Sequence, residues 1–278
     1  RAFVCDEEEK EIISAEEEAK RIINEAIKGA ESKKREALVE AKEEILAERT
    51  NFDREVKERR SEQQEQERKH REFLDMVAKN RSVGLPDPEL RKHSFENDLG
   101  YNPKQIEMAK KYVQHWEEFR NTSTGLILWG NVGTGKSFIA GCIANALLDK
   151  GVPVIMTNFA RLLNKLTDMY AGDRNAYIDS FKRYPLMIID DLGMERDSEF
   201  AKEQVFSVID SRYRSQLPMI VTTNLSLEEL KDPTDLSRAR IYDRVLERCT
   251  PIRVDNQNIR ERNKADNLKK SKQLLGET

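Results

Sequence analysis

The sequence predicts an α/β fold in which helices flank a central parallel β-sheet, preceded by a long N-terminal helix. Two observations support this prediction: short apolar runs alternate with helical stretches after residue 81, and the first 80 residues are dominated by charge. Residues 1–80 contain 23 acidic and 18 basic side chains but only three of the 19 aromatic residues. Such a segment lacks the apolar side chains of a globular core. We therefore expect the packed domain in residues 81–278.

Residues 1–80 are predicted to form a long charged helix or coiled coil. Between Asp6 and Val83 there is no proline and a single glycine, and strong helix formers dominate. A coiled coil that dimerises the protein or docks on another protein is one interpretation. A solvated single helix supported by charge pairs is the other. Apolar residues recur mostly three, four or seven positions apart, as in a heptad seam, at Ile12, Ala15, Ala19, Ile22, Ala26, Ala30, Ala37, Ala41, Ile45, Phe52 and Val56.

Charge and cysteine content exclude several classes of protein. The net charge of −3 argues against a protein that coats nucleic acid through bulk positive charge. Cys5, Cys142 and Cys249 are odd in number and far apart, so neither a disulfide framework nor a complete zinc site is predicted. No apolar run reaches the roughly 18 residues of a membrane span. We therefore expect a cytoplasmic protein without a membrane partner.

The remaining chain divides into three predicted parts. Residues 81–103 form a lead-in rich in turn residues, residues 104–260 form the α/β domain, and residues 261–278 form a basic tail. One helix is expected from Pro103 to Phe119. Four buried strands are predicted at 126–129, 154–156, 186–189 and 219–223, and their alternation with helices indicates a parallel sheet.

The first of these strands leads into a complete phosphate-binding motif, G-x-x-x-x-G-K-S. A strand before the motif and a helix after it favour a true P-loop, whose backbone N–H groups surround phosphate oxygens. Lys136 would bridge the β- and γ-phosphates of ATP, and the hydroxyl of Ser137 would bind Mg²⁺. The residues expected to contact the nucleotide are Gly130, Asn131, Val132, Gly133, Thr134, Gly135, Lys136, Ser137 and Phe138.

Two carboxylates, Asp190 and Asp191, end the strand that begins at Leu186. Like charges at a buried strand end need a cation or hydrogen bonds to offset their repulsion and desolvation. We assign Asp190 to Mg²⁺ and Asp191 to polarising the attacking water. Asp191 could also cap the following helix, a use that is compatible with the catalytic one. Asn224, after the next strand, is a catalytic candidate that would hold this water, although an isolated asparagine there is typical of a turn.

In these motifs, residues 90–260 resemble AAA+ ATPases of the DnaC/DnaI helicase-loader group, which includes the transposition helper IstB. The matching segments are LILWGNVGTGKSFIA, LMIIDDLGMER, Ser211-Arg212-Tyr213, VTTNL and the segment Arg240 to Arg244, with Phe95 and Asn102 in the lead-in. Separately, residues from about Ser14 to Arg68 resemble the coiled-coil region of ribonuclease Y. The domains that carry ribonuclease activity have no counterpart in this sequence.

The loader resemblance implies a mechanism and partners. It implies that Arg244 reaches the ATP of a neighbouring subunit, so that the protein works as a homo-oligomer joined through the ATP site. Arg240, Arg244 and Arg248 share one helix face, so spacing does not choose among them, and Arg240 is the alternative. Single-stranded DNA and a hexameric replicative helicase are the implied partners. The candidate DNA contacts are Lys165, Arg174, Lys182, Arg183, Tyr170, Tyr177 and Phe181.

Three functions follow from these observations. The first is an ATP-dependent helicase loader in DNA replication. The second is an IstB-like transposition helper, which would prefer duplex DNA. The third is a coiled-coil scaffold whose assembly is gated by ATP. The resemblance also implies an N-terminal helicase-binding module that often binds zinc, and a lone Cys5 cannot form a zinc site.

Overall fold

The computed structural model describes the backbone of residues 2–193, 198–233, 235–255 and 259–275. Side chains are described from residue 14 onward, except for seven positions between 260 and 270. The chain forms two compact units, residues 1–71 and residues 72–278. Cys5 therefore lies outside the side chains that the structure describes.

The first unit is part of the long helix α1, Ala2–Gly84, which confirms the predicted N-terminal helix. Its side chains from residue 14 to residue 55 are exposed. Ion pairs one turn apart support the helix, such as Arg68 Nη2 to Glu65 Oε1 at 2.8 Å. The formation of a coiled coil by this segment stays a prediction.

The last turns of α1 belong to the second unit. Val77 is only 4% exposed, and Arg81 forms an ion pair with Asp149 at the end of a later helix. Phe73 packs beside Gly151. These contacts anchor the end of α1, and the predicted domain boundaries at residues 80, 103 and 260 stay predictions.

The second unit alternates helices and strands. Short 3-10 turns lie at Leu90–Lys92, Phe95–Asn97 and Phe181–Arg183. The helices are α2 (Pro103–Gln114), α3 (Trp116–Asn121), α4 (Lys136–Asp149), α5 (Phe159–Thr167), α6 (Ala171–Ser180), α7 (Glu199–Arg214), α8 (Leu227–Lys231), α9 (Leu236–Arg248) and α10 (Ile259–Leu275). The strands are β1 (Gly125–Trp129), β2 (Val154–Asn158), β3 (Leu186–Leu192), β4 (Met219–Thr223) and β5 (Cys249–Arg253).

All strand pairs are parallel, in the order β2-β3-β4-β1-β5. The carboxyl ends of the strands therefore lie at one edge of the sheet, where polar side chains that follow them converge. Buried apolar side chains cover both faces of the sheet in two clusters. The predicted α/β fold with a parallel sheet is thus confirmed.

Two predicted details were wrong. The helix expected from Pro103 to Phe119 is divided at His115 into α2 and α3. The sequence prediction also missed β5, because Cys249–Arg253 lacks a continuous apolar run. This strand lies at the sheet edge, where Pro251 is tolerated because an edge strand has one unpaired side.

Arg212 is a buried structural group on α7. Its guanidinium donates hydrogen bonds to the carbonyls of Tyr184 at 2.7 Å, Pro185 at 2.6 Å and Pro218 at 2.7 Å. Burial lowers the pKa of Arg212 to about 9. These bonds tie α7 to the segments that enter β3 and β4.

Each helix in the described part of the chain is too short or too polar to cross a bilayer.

Candidate nucleotide site

The loop from Gly130 to Gly135 connects β1 to α4 and requires its glycines. Gly130, Gly133 and Gly135 have φ angles of 140°, 79° and 100°, which L side chains rarely adopt. A Cβ atom on Gly130 would also lie 2.2 Å from the carbonyl oxygen of Val254. The loop therefore has the backbone conformation that only glycine permits at these positions. The N-terminus of α4 follows immediately and favours an anion there.

Lys136 is the first residue of α4 and points back into the loop. It is 5% exposed, and its Nζ donates hydrogen bonds to the carbonyls of Gly130 at 2.8 Å and Asn131 at 2.7 Å. Asn102 of the lead-in donates to the carbonyl of Thr134 at 2.8 Å. The Lys136 ammonium group is thus held inside the loop, and the buried amide of Asn102 stabilises the loop through its hydrogen bond to Thr134.

The two residues predicted to bind metal lie together. Asp190 Oδ1 accepts hydrogen bonds from Ser137 Oγ at 2.8 Å and from Thr222 Oγ1 at 2.6 Å. A hydroxyl and a carboxylate are oxygen donors of the kind that Mg²⁺ prefers. Among the described residues, no group of three or more His, Cys, Asp or Glu side chains is placed to hold a metal ion by itself. The donor set fits Mg²⁺, which usually keeps several waters and binds substrate phosphates.

Asp191 differs from Asp190 in conformation. Its φ is +60°, a left-handed value, and the pairing of β3 with β4 shifts register between Ile189 and Leu192. The N–H of Asp191 donates to Thr222 Oγ1 at 2.9 Å. A non-glycine residue at such a φ is uncommon, although Asp tolerates it better than most. The two adjacent carboxylates have different surroundings: Asp190 contacts Ser137, and Asp191 lines a cavity.

This cavity has a volume of about 590 Å³ and is lined by residues of both the P-loop and the lead-in. Asn224, half-buried after β4, lines it together with Asp191 and Lys136. The structure therefore brings three of the four predicted catalytic residues to one cavity. The other lining residues are His93, Asn97, Asp98, Leu99, Tyr101, Asn102, Val132, Gly133, Thr134, Gly135, Ser137, Phe138 and Ile259.

His93 is a cavity residue that the sequence prediction missed. Its ring lies 5.1 Å from the ring of Phe138, and its Nδ1 is buried without a hydrogen-bond partner among the described residues. Burial lowers the pKa of His93, while the charge of Asp190 acts in the opposite direction. No sequence motif indicates this contact, because His93 and Phe138 lie 45 positions apart.

A substitution at Gly141 would test the contact between the lead-in and α4. A Cβ atom there would lie 2.4 Å from His93 Nδ1, so we expect Gly141→Ala to displace His93 and to weaken ATP binding. Overpacking of this kind costs about 1–3 kcal/mol. Thermal unfolding and ATP titration measure both effects. Gly172→Ala is the matched control, because a Cβ atom on this helical glycine meets nothing within 4 Å. An unchanged ATP affinity in Gly141→Ala would contradict the expectation.

Arg244, the fourth predicted catalytic residue, does not line the cavity among its described residues. Its Nε donates to Asp210 Oδ1 at 2.9 Å, and its guanidinium lies 4.7 Å from the centre of the Phe206 ring. Arg240, the alternative, is exposed. The structure therefore separates Arg244 from the nucleotide site of its own chain.

The residues predicted to contact DNA differ in their exposure and in the partners that their side chains already have. Tyr170 is 86% exposed, whereas Phe181 is 7% exposed and belongs to the core. Phe181 cannot stack on a base from that position, so this expectation was wrong. Arg174 Nε donates to the carbonyls of Leu166 at 2.8 Å and Met169 at 3.0 Å, which gives it a structural role. Lys182 pairs with Asp179 at 2.5 Å.

Comparisons with known proteins give a consistent family. The model of the family described as IstB-like ATP binding protein matches residues 30–267. The match covers the whole candidate site and begins inside α1. The resemblance of α1 to the coiled-coil region of ribonuclease Y stays a prediction.

Curated relatives and a solved structure are similar to a little more than half of the chain. The replicative helicase loader DnaI of Bacillus subtilis (strain 168) is 29% identical over 175 residues, which cover 57% of this chain and 55% of DnaI. The replicative helicase loader DnaC of Escherichia coli (strain K12) is 29% identical over 155 residues, which cover 55% of this chain and 62% of DnaC. A crystal structure of DnaI has a TM-score of 0.50 and 25% identity, covering 60% of this chain and 94% of the other. The chain thus spans little more than half the length of its curated relatives.

Proposed function

Because the chain belongs to the IstB-like ATP-binding family, we propose that it is an ATP-dependent replicative helicase loader. In this proposal it binds a hexameric helicase and single-stranded DNA, and ATP hydrolysis switches the assembly between its bound and released states. The observation that carries the proposal is the convergence of Lys136, Asp191 and Asn224 on one cavity, with Ser137 and Asp190 bonded beside it. Similarity to DnaI and DnaC supports the choice of partner.

Nucleotide binding begins with an exchange of partners at Lys136. Its Nζ now bonds to two loop carbonyls, and the β- and γ-phosphates of ATP would replace them with stronger charge-assisted bonds. The backbone N–H groups of the loop and the N-terminus of α4 hold the phosphates. The base and sugar would then lie toward the lead-in residues that line the same 590 Å³ cavity, among them His93 and Tyr101.

Hydrolysis uses the two carboxylates differently. Ser137 and Asp190 would hold Mg²⁺, which when bound neutralises charge on the phosphates. The exposed carboxylate of Asp191 polarises the attacking water, and the Asn224 amide orients this water toward the γ-phosphate. The two functions are compatible with the positions of the carboxylates, since Asp190 contacts Ser137 and Asp191 lines the cavity.

A homo-oligomer joined through the ATP site completes this mechanism. The cavity lacks an arginine among its described lining residues, and a guanidinium near the γ-phosphate stabilises the charge of the transition state. We assign this group to Arg244 of a neighbouring subunit. The subunits would then hydrolyse ATP only when assembled.

Association with the helicase is the direct test of the proposed function. We expect the full chain to retain the replicative helicase of its host in a pull-down, in an amount that depends on ATP. Lys136→Ala should remove this ATP dependence.

A shortened chain of residues 72–278 shows whether the first unit takes part in binding the helicase. This chain keeps Val77 and Arg81, which contact the rest of the second unit. If that chain loses the helicase and its oligomeric state but keeps ATPase activity, the scaffold function is supported. No association in any nucleotide state would refute the loader proposal.

Single-stranded DNA binding is tested at Tyr170, the most exposed of the aromatic candidates. We expect Tyr170→Ala to weaken binding, because stacking contributes about 1–3 kcal/mol per base. Tyr170→Phe should bind normally, since phenylalanine also stacks. Fluorescence anisotropy with labelled oligonucleotides at one stated salt concentration measures the difference. A preference for duplex DNA would instead favour an IstB-like transposition helper.

A further inference from the structure

The first unit carries an exposed apolar seam along α1. We define the seam as Ile23, Ala26, Ala30, Ala37, Ala41, Ile45, Phe52 and Val56. Ile23, Ile45 and Phe52 are 57%, 65% and 66% exposed. Among the described residues, α1 is the only element of this unit, so no other element of the unit covers the seam. Five more large apolar residues of this segment are exposed outside the seam, at Ile22, Ile27, Leu38, Val39 and Leu46. Helices in proteins gain most of their stability by packing such apolar side chains.

The seam repeats every 11 residues. The series Ile23, Ala26, Ala30 is followed by Lys34, Ala37, Ala41 and then by Ile45, Glu48, Phe52. This period corresponds to about 3.67 residues per turn, which gives a nearly straight, slightly right-handed coil. A strict seven-residue repeat starting at Ile23 would place Asn51 on the stripe, whereas the 11-residue repeat places Phe52 there. Counted from Ile23, the longer period selects the apolar residue, whereas a seven-residue spacing reaches Phe52 only when it is counted from Leu38 through Ile45.

We propose that the seam binds a second copy of this chain as a parallel, in-register two-stranded coil. The alanines of the seam let two helices approach closely. Charges beside the seam also select this partner and direction. Glu44 and Glu55 lie on one flank, and Arg49 and Arg60 lie five residues later on the other.

Two parallel copies would place each of these glutamates against the arginine of its partner, as flanking charges do in coiled coils. Ile22 and Ile27 are also five residues apart on the two flanks. In the parallel dimer, Ile22 of one copy would therefore contact Ile27 of the other, and this contact is apolar. Antiparallel copies would instead bring arginine flank against arginine flank. Two of the nine repeat positions are charged, because Lys34 replaces an isoleucine and Glu48 replaces an alanine. Polar residues at seam positions fix register at a cost in stability. The dimer does not use the nucleotide site.

Disulfide trapping tests the register of the full-length chain without nucleotide. In a Cys5→Ser background, Phe52→Cys and Ala37→Cys should each form an oxidised dimer, because the same residue of two parallel copies meets at the seam. Asn51→Cys and Ser32→Cys are matched exposed controls on the same helix. They should yield at least about tenfold less dimer, since a disulfide needs Cα atoms closer than about 7 Å. More dimer from Asn51→Cys than from Phe52→Cys would overturn the 11-residue register.

Charge exchange tests the direction and the partner. Arg49→Glu with Arg60→Glu should raise the dimer dissociation constant at least about tenfold, measured by sedimentation velocity. Adding Glu44→Arg and Glu55→Arg should restore the dimer. The Lys136→Ala chain should dimerise like the wild type, which separates this association from assembly through ATP. The proposal would be refuted if the wild-type chain remains monomeric at tens of micromolar. It would also be refuted if the variant with all four substitutions does not regain dimerisation.

Discussion

Lys136→Ala should abolish binding of Mg-ATP. The Lys136 ammonium group is buried at the centre of the P-loop and has two carbonyl partners that phosphate oxygens would replace. Each charge-assisted hydrogen bond contributes about 1.5–3 kcal/mol. Losing the bonds to two phosphates therefore weakens binding by roughly 100-fold or more. Isothermal titration calorimetry with Mg-ATP measures this loss.

Lys150→Ala is the matched control. Lys150 follows the other end of α4, and its Nζ donates to the carbonyl of Val113 at 2.7 Å, a bond of the same chemical type as those of Lys136. It does not line the nucleotide cavity. We expect Lys150→Ala to lower the unfolding temperature without changing ATP affinity. If Lys136→Ala remains folded and binds Mg-ATP like the wild type, the P-loop is not the nucleotide site.

The sequence predicted the parts of the site that depend on local chemistry. The P-loop is contiguous, and its glycines, lysine and serine each have a fixed task, so eight adjacent residues define it. Asp190 and Asn224 could be predicted from the sequence, because Asp190 lies near the end of β3 and Asn224 directly follows β4. Parallel strands end at the same edge of a sheet. Contacts that depend on tertiary packing could not be predicted from the sequence. His93 reaches Phe138 only because Gly141 leaves space beside α4.

The missed strand and the divided helix have similar causes. β5 is an edge strand with mostly exposed side chains, so it lacks the buried apolar run that made the other strands recognisable, including β2 at the opposite edge. Nothing in the helical pattern of 103–119 marks the break at His115, where the backbone leaves the helical range with φ −97° and ψ 29°. Local propensity predicts that a helix exists better than it predicts where the helix ends.

Arg244 presents a choice between two roles, because its own chain already provides it with partners. Asp210 Oδ1 lies 2.9 Å from Arg244 Nε, and the side chain of Arg244 is 24% exposed. Asp210 also pairs with Arg214 at 2.8 Å. As a structural group, Arg244 would hold α9 against α7. As a catalytic group, it would have to exchange Asp210 for the γ-phosphate of a neighbouring subunit, much as Lys136 would exchange carbonyls for phosphates.

Asp210→Asn distinguishes these roles. It weakens the ion pair but leaves the guanidinium in place. If Arg244 is structural, Asp210→Asn and Arg244→Ala should lower the unfolding temperature similarly and change ATP turnover little. If Arg244 is catalytic, Asp210→Asn should keep turnover at or above the wild-type rate, because the arginine is released more easily. Arg240→Ala, which changes an exposed residue of the same helix face, should leave turnover nearly normal.

We expect Arg244→Ala to bind Mg-ATP normally and to lose turnover by about 10³-fold or more, the usual effect of removing an arginine that contacts the transferring phosphoryl group. Mixing Arg244→Ala with Lys136→Ala shows whether the arginine acts between subunits. Each variant alone is inactive, but a mixed interface joins an intact P-loop to an intact Arg244, so steady-state ATPase activity should reappear. Such recovery cannot occur within a single chain. If the mixture stays inactive although light scattering shows mixed oligomers, or if Arg240→Ala instead causes the large loss, the assignment of Arg244 is wrong.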